Sequence, residues 1–320
     1  MSFLQNIQNQ ILDASIFFSF DKSGFLRHSQ EYNPNDLNED CSGKNYLITG
    51  ANSGLGKSAA MEIARRGGVV YLLCRNKERA GKAQEEIIDK TKNENVYVEL
   101  VDMSDLNSVE EAAQRLQEIS IDVLINNAGI LPTERWISKQ GYEGTFATNI
   151  LGSHLLTKRL YPILASTPQS RIIWVSSGGM YPTRLNLERL IEPKEPFDGV
   201  QAYSQTKRAQ VILNRMWAKY GSVSSFCMHP GWAATPGVQQ SLPKFQQMMD
   251  GRLRTSQQGA DTIVWLAICS SISKEESGTF WFDRRIVTEN FFPWTSSSSD
   301  QEQKLWDTLE QMLEDFSMSL

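Results

Sequence analysis

Apolar and polar positions alternate in two regular series along this chain. From Lys44, short apolar runs (Tyr46–Thr49, Val69–Leu73, Val96–Val101, Ile121–Asn126) are separated by amphipathic stretches (Ala59–Arg66, Arg79–Lys90, Ser108–Leu116). The short runs are apolar throughout, which predicts strands of a parallel sheet covered on both faces; the stretches between them have the period of surface helices. A second series predicts a long helix over 144–164, a strand over Arg171–Ser176 and a helix over Tyr203–Tyr220. It continues with a strand over Val223–Met228, a helix over Gln258–Cys269 and a last strand over Thr279–Phe282. Seven strands alternating with helices predict a single α/β domain, a Rossmann-type doubly wound parallel sheet flanked by helices.

Residues 1–43 and 291–320 lie outside this repeat, so the sheet domain is placed at 44–290, between an N-terminal extension and a C-terminal linker with its helix. Pro34 and the polar run after it read as the connection into the first strand. Ile11–Phe20 is apolar enough to pack on the protein's own sheet or to make peripheral contact with a membrane surface, and self-packing is the preferred reading. At the other end, Ser296–Ser299 reads as a joint before a final helix, with Glu302 three residues after Ser299 as in a capping box. Leu305, Leu309, Met312, Leu313 and Phe316 form one apolar stripe, read as docking back onto the domain, with a dimer contact as the alternative.

A net charge of -5 and a pI near 5.4 give no broad positive field, so nucleic acid is not expected as a partner. Cys41, Cys74, Cys227 and Cys269 are widely spaced and do not cluster with histidine. Neither a disulfide framework nor a metal site is expected, and the compartment is expected to be intracellular and cytoplasmic. No apolar run reaches the ~18 residues that a membrane span needs.

Thr49-Gly50-Ala51-Asn52-Ser53-Gly54-Leu55-Gly56 joins the first strand to the first helix. Glycines there permit a tight turn and let backbone amides approach a phosphate at a helix N-terminus. Gly56-Lys57-Ser58 imitates the end of a triphosphate-binding loop, but the first glycine such a loop requires falls on Ala51, so a dinucleotide is expected instead. A site built for NAD usually has an acid ~20 residues past the glycines, on the ribose 2′-hydroxyl. Here the second strand ends in Cys74-Arg75. A guanidinium grips a 2′-phosphate that a carboxylate repels, so NADP(H) is expected over NAD(H); the alternative is that Arg75 is a solvated residue opening the next helix.

Tyr203 and Lys207 are four residues apart in a helical stretch and share a face. A tyrosine with a pKa of ~10 is a poor acid or base near neutrality, and a nearby ammonium is expected to lower it until the phenol exchanges a proton with a substrate oxygen. Ser177, beyond a strand's carboxyl end, is expected to hold the reacting carbonyl, with Ser176 facing the other side of the sheet. Such a Tyr/Lys pair arises by chance on many helices, so its company carries the reading.

Taken in order, the glycine turn, Asn126-Asn127-Ala128-Gly129, Asn149, Val175-Ser176-Ser177, Tyr203-x-x-x-Lys207 and Pro230-Gly231 resemble the short-chain dehydrogenase/reductase family, classical type, over residues 44 to about 285. Features of the whole chain are similar to its retinol dehydrogenase-like group. The resemblance implies an NAD(P)-dependent oxidoreductase acting on CH–OH groups, with Asn149, Ser177, Tyr203 and Lys207 as the catalytic set. Asn149 would hold a water linking Lys207 to solvent, and Lys207 would also bind the nicotinamide ribose. The resemblance implies Gly50, Ser53, Gly54 and Leu55 or Gly56 along the pyrophosphate and Asp102 at the adenine. It places Asn127 and Ala128 beside the adenosine ribose, and Pro230, Gly231 and Thr235 beside the nicotinamide. Read alone, Asp102 is also a turn former and Asn149 a helix surface residue. His154 reads as packing, and His229 as near the crevice without a direct part.

Met180, Tyr181, Leu185, Leu190, Trp232, Met248, Met249 and Leu253 predict an apolar wall and therefore an apolar aldehyde, ketone or alcohol of retinoid, steroid or lipid type. A dinucleotide-binding sensor or scaffold without turnover is the rival reading, disfavoured by the intact Ser177, Tyr203 and Lys207. The resemblance also implies a homodimer or homotetramer through the helices bearing Asn149 and Tyr203, unless the terminal extensions block it.

Overall fold

In the computed structural model, which describes residues 16–319, two short helices, α1 (Ile16–Phe20) and α2 (Lys22–His28), precede the sheet. The first series folds as β1 (Asn45–Thr49), α3 (Gly54–Arg65), β2 (Val69–Cys74), α4 (Lys77–Thr91), β3 (Val96–Leu100), α5 (Leu106–Arg115) and β4 (Val123–Asn126). The long helix predicted over 144–164 is one continuous run with a defect: α6 (Gly144–Phe146), a π-helical turn (Ala147–Leu151) and α7 (Gly152–Ser166). There follow β5 (Arg171–Val175), α8 (Leu187–Ile191), α9 (Gly199–Tyr220), β6 (Ser224–Met228), α10 (Pro236–Ser241), α11 (Pro243–Met248) and α12 (Ser256–Ile268). The chain ends with β7 (Phe280–Phe282), β8 (Arg285–Ile286) and α13 (Ser299–Met318).

The strands form one sheet in the order β3-β2-β1-β4-β5-β6-β7-β8, parallel from β3 through β7. Chain direction across the sheet reverses between β1 and β4, so the connections leaving their carboxyl ends diverge and open a crevice there. Alternate residues feed two cores. Ile48, Leu72, Ile125 and Ile173 face α3 and α12, whereas Leu47, Leu124, Ile172 and Trp174 face α5, α7 and α9. The eighth strand exceeds the seven expected. Asp283 (φ 48°) and Arg284 (φ 57°) both adopt left-handed backbone and turn the chain into an antiparallel β7–β8 hairpin. No glycine or asparagine at the turn signals it.

The C-terminal helix docks on α7 and α9. Leu305, Leu309, Leu313 and Phe316 are buried, and Trp306 joins His154, Trp217 and Tyr220 in an aromatic cluster. Its capping box is Ser298 with Gln301, one residue before the expected Ser299 and Glu302. Glu302 is engaged elsewhere, on Arg215 of α9 at 2.6 Å. His154 packs as expected: Nδ1 accepts from Trp217 Nε1 at 3.3 Å, which fixes the neutral tautomer whose Nε2 donates to Glu310 at 2.8 Å. Burial holds that imidazole below its ordinary value, while the bonds from His154 and Lys158 pull Glu310 down to about 2.

Part of the N-terminal extension is built into the domain. Of Ile11–Phe20, residues 11–15 lie outside the described residues, Phe18 is exposed and Phe20 is buried among Tyr181, His229, Trp232 and Phe282. Asp21 caps α2 and pairs with Arg252 at 2.7 Å. Arg254, fully buried, binds Asp283 through two nitrogens at 2.6 and 2.8 Å and also donates to the Ser19 and Asp21 carbonyls. His28 meets the same Asp283 carboxylate at 2.6 Å. No helix among the described residues is long and apolar enough to cross a membrane.

Candidate active site

The turn after β1 leaves α3 open at its N-terminus. Ser53, its N-cap, is extended and makes no capping bond with its side chain, so the first amides of this 12-residue helix are left for an acceptor from outside. Gly50 (φ 67°) and Gly54 (φ 56°) take the left-handed backbone the turn requires. Gly50, Ser53, Gly54 and Leu55 line a cleft of about 520 Å³, but Gly56 lies beneath it. A Cβ on Gly56 would stand 2.5 Å from Asn127 Nδ2 and 2.7 Å from the Gly50 carbonyl. The Leu55-or-Gly56 alternative thus resolves to Leu55 at the cleft, with Gly56 making room for a brace. In that brace Asn127 Nδ2 donates to Thr49 O at 2.8 Å, and Thr49 Oγ1 accepts from the Asn127 and Ala128 amides at 3.0 and 2.9 Å.

Arg75 lines one end of the cleft together with Arg79, a residue the sequence reading missed. Asn76 caps α4 by accepting the Arg79 amide at 2.9 Å, which sets residue 79 one turn above Arg75. Both arginines are exposed, and neither guanidinium is hydrogen-bonded or ion-paired within the described residues. Asp102 lines the cleft and is also the turn former allowed for: its Oδ1 accepts from the Ser104 amide (3.0 Å) and hydroxyl (2.7 Å).

At the other end, Ser177, Tyr203 and Lys207 come together. Ser177 begins a short turn over Gly178–Met180, accepts from the Gly179 amide at 3.2 Å and lines the cleft with Tyr203. Ser176 is buried and pinned to the Lys207 carbonyl at 2.8 Å, as its opposite orientation predicts. The ammonium of Lys207 stands 5.3 Å from the Tyr203 ring centroid. Contrary to expectation, Tyr203 is not lowered: burial pushes it up to about 12, opposed by the nearby Ser177 hydroxyl. The same burial pushes Lys207 down to about 8. Desolvation is the largest cause of both shifts.

Asn149 lies in the π-helical turn behind the cleft, fully buried. Its Oδ1 accepts from the Ile130 amide at 2.8 Å and its Nδ2 donates to Thr206 Oγ1 at 3.0 Å. Gln210 joins the Asn149 carbonyl to Lys207: its Nε2 donates to Asn149 O at 3.0 Å, and its Oε1 accepts from Lys207 Nζ at 2.9 Å. Pro230, Gly231 and Thr235 line the cleft after β6. His229 does not; it stacks on Phe282 at 4.1 Å, and burial pushes it down to about 3.

The apolar wall differs from the expected one. Of the residues predicted for it, Trp232 alone lines the cleft, joined by Ile130, Leu131, Val200, Leu242 and Phe245. Phe245 meets Trp232 edge to face at 5.5 Å. Met180, Tyr181, Leu190 and Met249 are buried in the fold, and Met248 points outward. Spacing along the chain could not tell a core face from a cleft face.

A family described as short chain dehydrogenase matches residues 44–188. Human Dehydrogenase/reductase SDR family member 12 is 42% identical over 300 residues, covering 93% of this chain and 95% of the relative. Human Retinol dehydrogenase 11 is 31% identical over 277 residues, covering 83% and 84%. Among solved structures, an uncharacterised protein from Mycobacterium paratuberculosis superposes with a TM-score of 0.68 at 28% identity, covering 86% of this chain and 95% of that one.

Proposed function

The chain belongs to the short-chain dehydrogenase/reductase family and is an NAD(P)-dependent oxidoreductase acting on CH–OH groups; from that premise we propose that it interconverts an apolar aldehyde or ketone and its alcohol with NADP(H), Tyr203 giving or taking the proton. The observation that carries this reading is Ser177, Tyr203 and Lys207 lining one cleft beside a wall of Trp232, Val200 and Phe245. Relatives named for retinol, an apolar alcohol, agree with it.

The residues present fit the dinucleotide: an uncapped helix start and the glycine turn suit the pyrophosphate, and the partnerless Arg75 and Arg79 suit a 2′-phosphate. When bound, the cofactor supplies or accepts the hydride. Ser177 holds the substrate oxygen by hydrogen bonding, which fixes the carbonyl for attack. Tyr203, a neutral phenol at pH 7 like any tyrosine, donates its proton to that oxygen in the reducing direction. Lys207 stabilises the phenolate left behind. Gly50, Ser53, Gly54, Leu55, Asp102, Asn127 and Ala128 are assigned to the adenosine and pyrophosphate, and Pro230, Gly231 and Thr235 to the nicotinamide.

Self-association through α7 and α9 requires α13 to leave the face it covers. Replacing Tyr203 by Phe is expected to lower NADPH-dependent reduction of a panel of apolar aldehydes by about 10²–10⁴-fold while leaving NADPH affinity nearly unchanged. Undiminished turnover removes Tyr203 from proton transfer, and binding without turnover across the panel in the unaltered protein returns the sensor reading.

A further inference from the structure

Lys207 is anchored from behind. Its Nζ donates to the Val175 carbonyl at 2.8 Å and to Gln210 Oε1 at 2.9 Å. An ammonium has three N–H donors, and among the described residues the third has no protein acceptor. Lys207 lines the cleft beside Gly129, where a Cβ would stand 3.2 Å from Nζ. Two acceptors on the inner side therefore fix the ammonium and leave one N–H for the cleft.

Gln210 has no surface exposure, and both ends of its amide are bonded, one to Lys207 and the other to Asn149 O. A buried amide with one end unpaired would cost ~1–3 kcal/mol, so each bond secures the other. The π-helical turn is what supplies the acceptor: Asn149 O lies where the helix makes i→i+5 bonds, and Gln210 crosses from α9 to reach it.

We propose that Gln210 is a positioning residue: it clamps Lys207 from behind and aims its remaining N–H at the cleft. This rests on the role proposed above for Tyr203 and Lys207. Cys227 on β6 and Tyr203 on Lys207's own helix are the titratable groups facing the ammonium. Its other neighbours are the Val175 carbonyl of β5, the Gln210 amide and Gly129 after β4.

The test is the titration of Lys207, followed by nitrogen-detected NMR of the lysine side chains in the full chain and assigned with Lys207→Arg. Gln210→Glu, nearly isosteric, puts a carboxylate beside Nζ and is expected to raise the Lys207 midpoint by about one pH unit or more; Gln210→Leu removes the acceptor and is expected to lower it by a similar amount. An unmoved midpoint in a folded Gln210→Glu protein overturns the clamp, whatever becomes of the leucine variant. The pH profile of NADPH-dependent decanal reduction is expected to move in the same direction as the midpoint. Absence of decanal turnover in the unaltered protein counts against the proposed reaction, whereas the lysine titration still decides the role of Gln210.

Discussion

Arg75 and Arg79 bring two guanidinium groups to the cleft with no protein partner among the described residues. Most of the described arginines have a protein partner, as Arg215 has with Glu302 and Arg284 with Asp261. These two present charge to the cleft, and a charge-assisted bond to a phosphate is worth ~1.5–3 kcal/mol. Arg75→Asp is therefore expected to weaken NADPH binding by roughly 10–100-fold while NADH binding changes little, as read from the cofactor's fluorescence on titration. An unchanged ratio shows that the 2′-phosphate is read elsewhere. Arg75 was legible in the sequence because a strand's end fixes its place. Arg79 was not, because its place depends on which residue caps α4. Gln210 was hidden for a different reason: its partner Asn149 is 61 residues away, and no local pattern couples the two.

Elements are legible where one period dominates. The strands and the helices over them were, since burial on two faces or one writes itself into every second or every third to fourth position. The π-helical turn was not, because it keeps the apolar spacing of the helix around it. At the start of α13, Ser298 with Gln301 and Ser299 with Glu302 both fit a capping box; Arg215 decides between them by taking Glu302. The same helix supplies a pH prediction. Glu310 is depressed from 4.5 to about 2 in the folded protein, so its bonds to His154 and Lys158 stabilise the fold above pH 4.5, and that contribution is lost as pH falls from 4.5 toward 2. Glu310→Gln is expected to flatten the acid-side loss of stability in that window, measured by chemical denaturation across pH. An identical acid limb means that the Glu310 bonds add nothing to the docking of α13.

At the scale of the molecule, the segment from Ser19 to His28 packs behind the loops of the site. Phe20 lies under Gly178, where a Cβ would meet its ring at 2.6 Å, and the Phe20 carbonyl accepts from the Trp232 amide at 2.8 Å. The two loops that shape the substrate side thus rest on one residue ahead of the sheet. Deleting residues 1–31 removes Phe20, which by itself is worth ~3–5 kcal/mol as a buried ring, and strips His28 from the Asp283 carboxylate. The expected outcome is loss of soluble protein or a clearly lowered Tm; a soluble product with an unchanged Tm makes the segment peripheral. From sequence this stretch read as an appendage, because the residues it needs lie near the other end of the chain.

That separation sets an order in time. His28 meets Asp283 across 255 positions, and Arg254 joins them from 29 residues before Asp283. On a ribosome adding ~5–20 residues per second, the first helices wait on the order of tens of seconds for the side chains that will hold them. Through that interval Phe18 and Phe20 travel uncovered ahead of a growing sheet. The nascent chain is most open to a chaperone, and to misassembly with a neighbour on the same message, until residue 283 has left the exit tunnel.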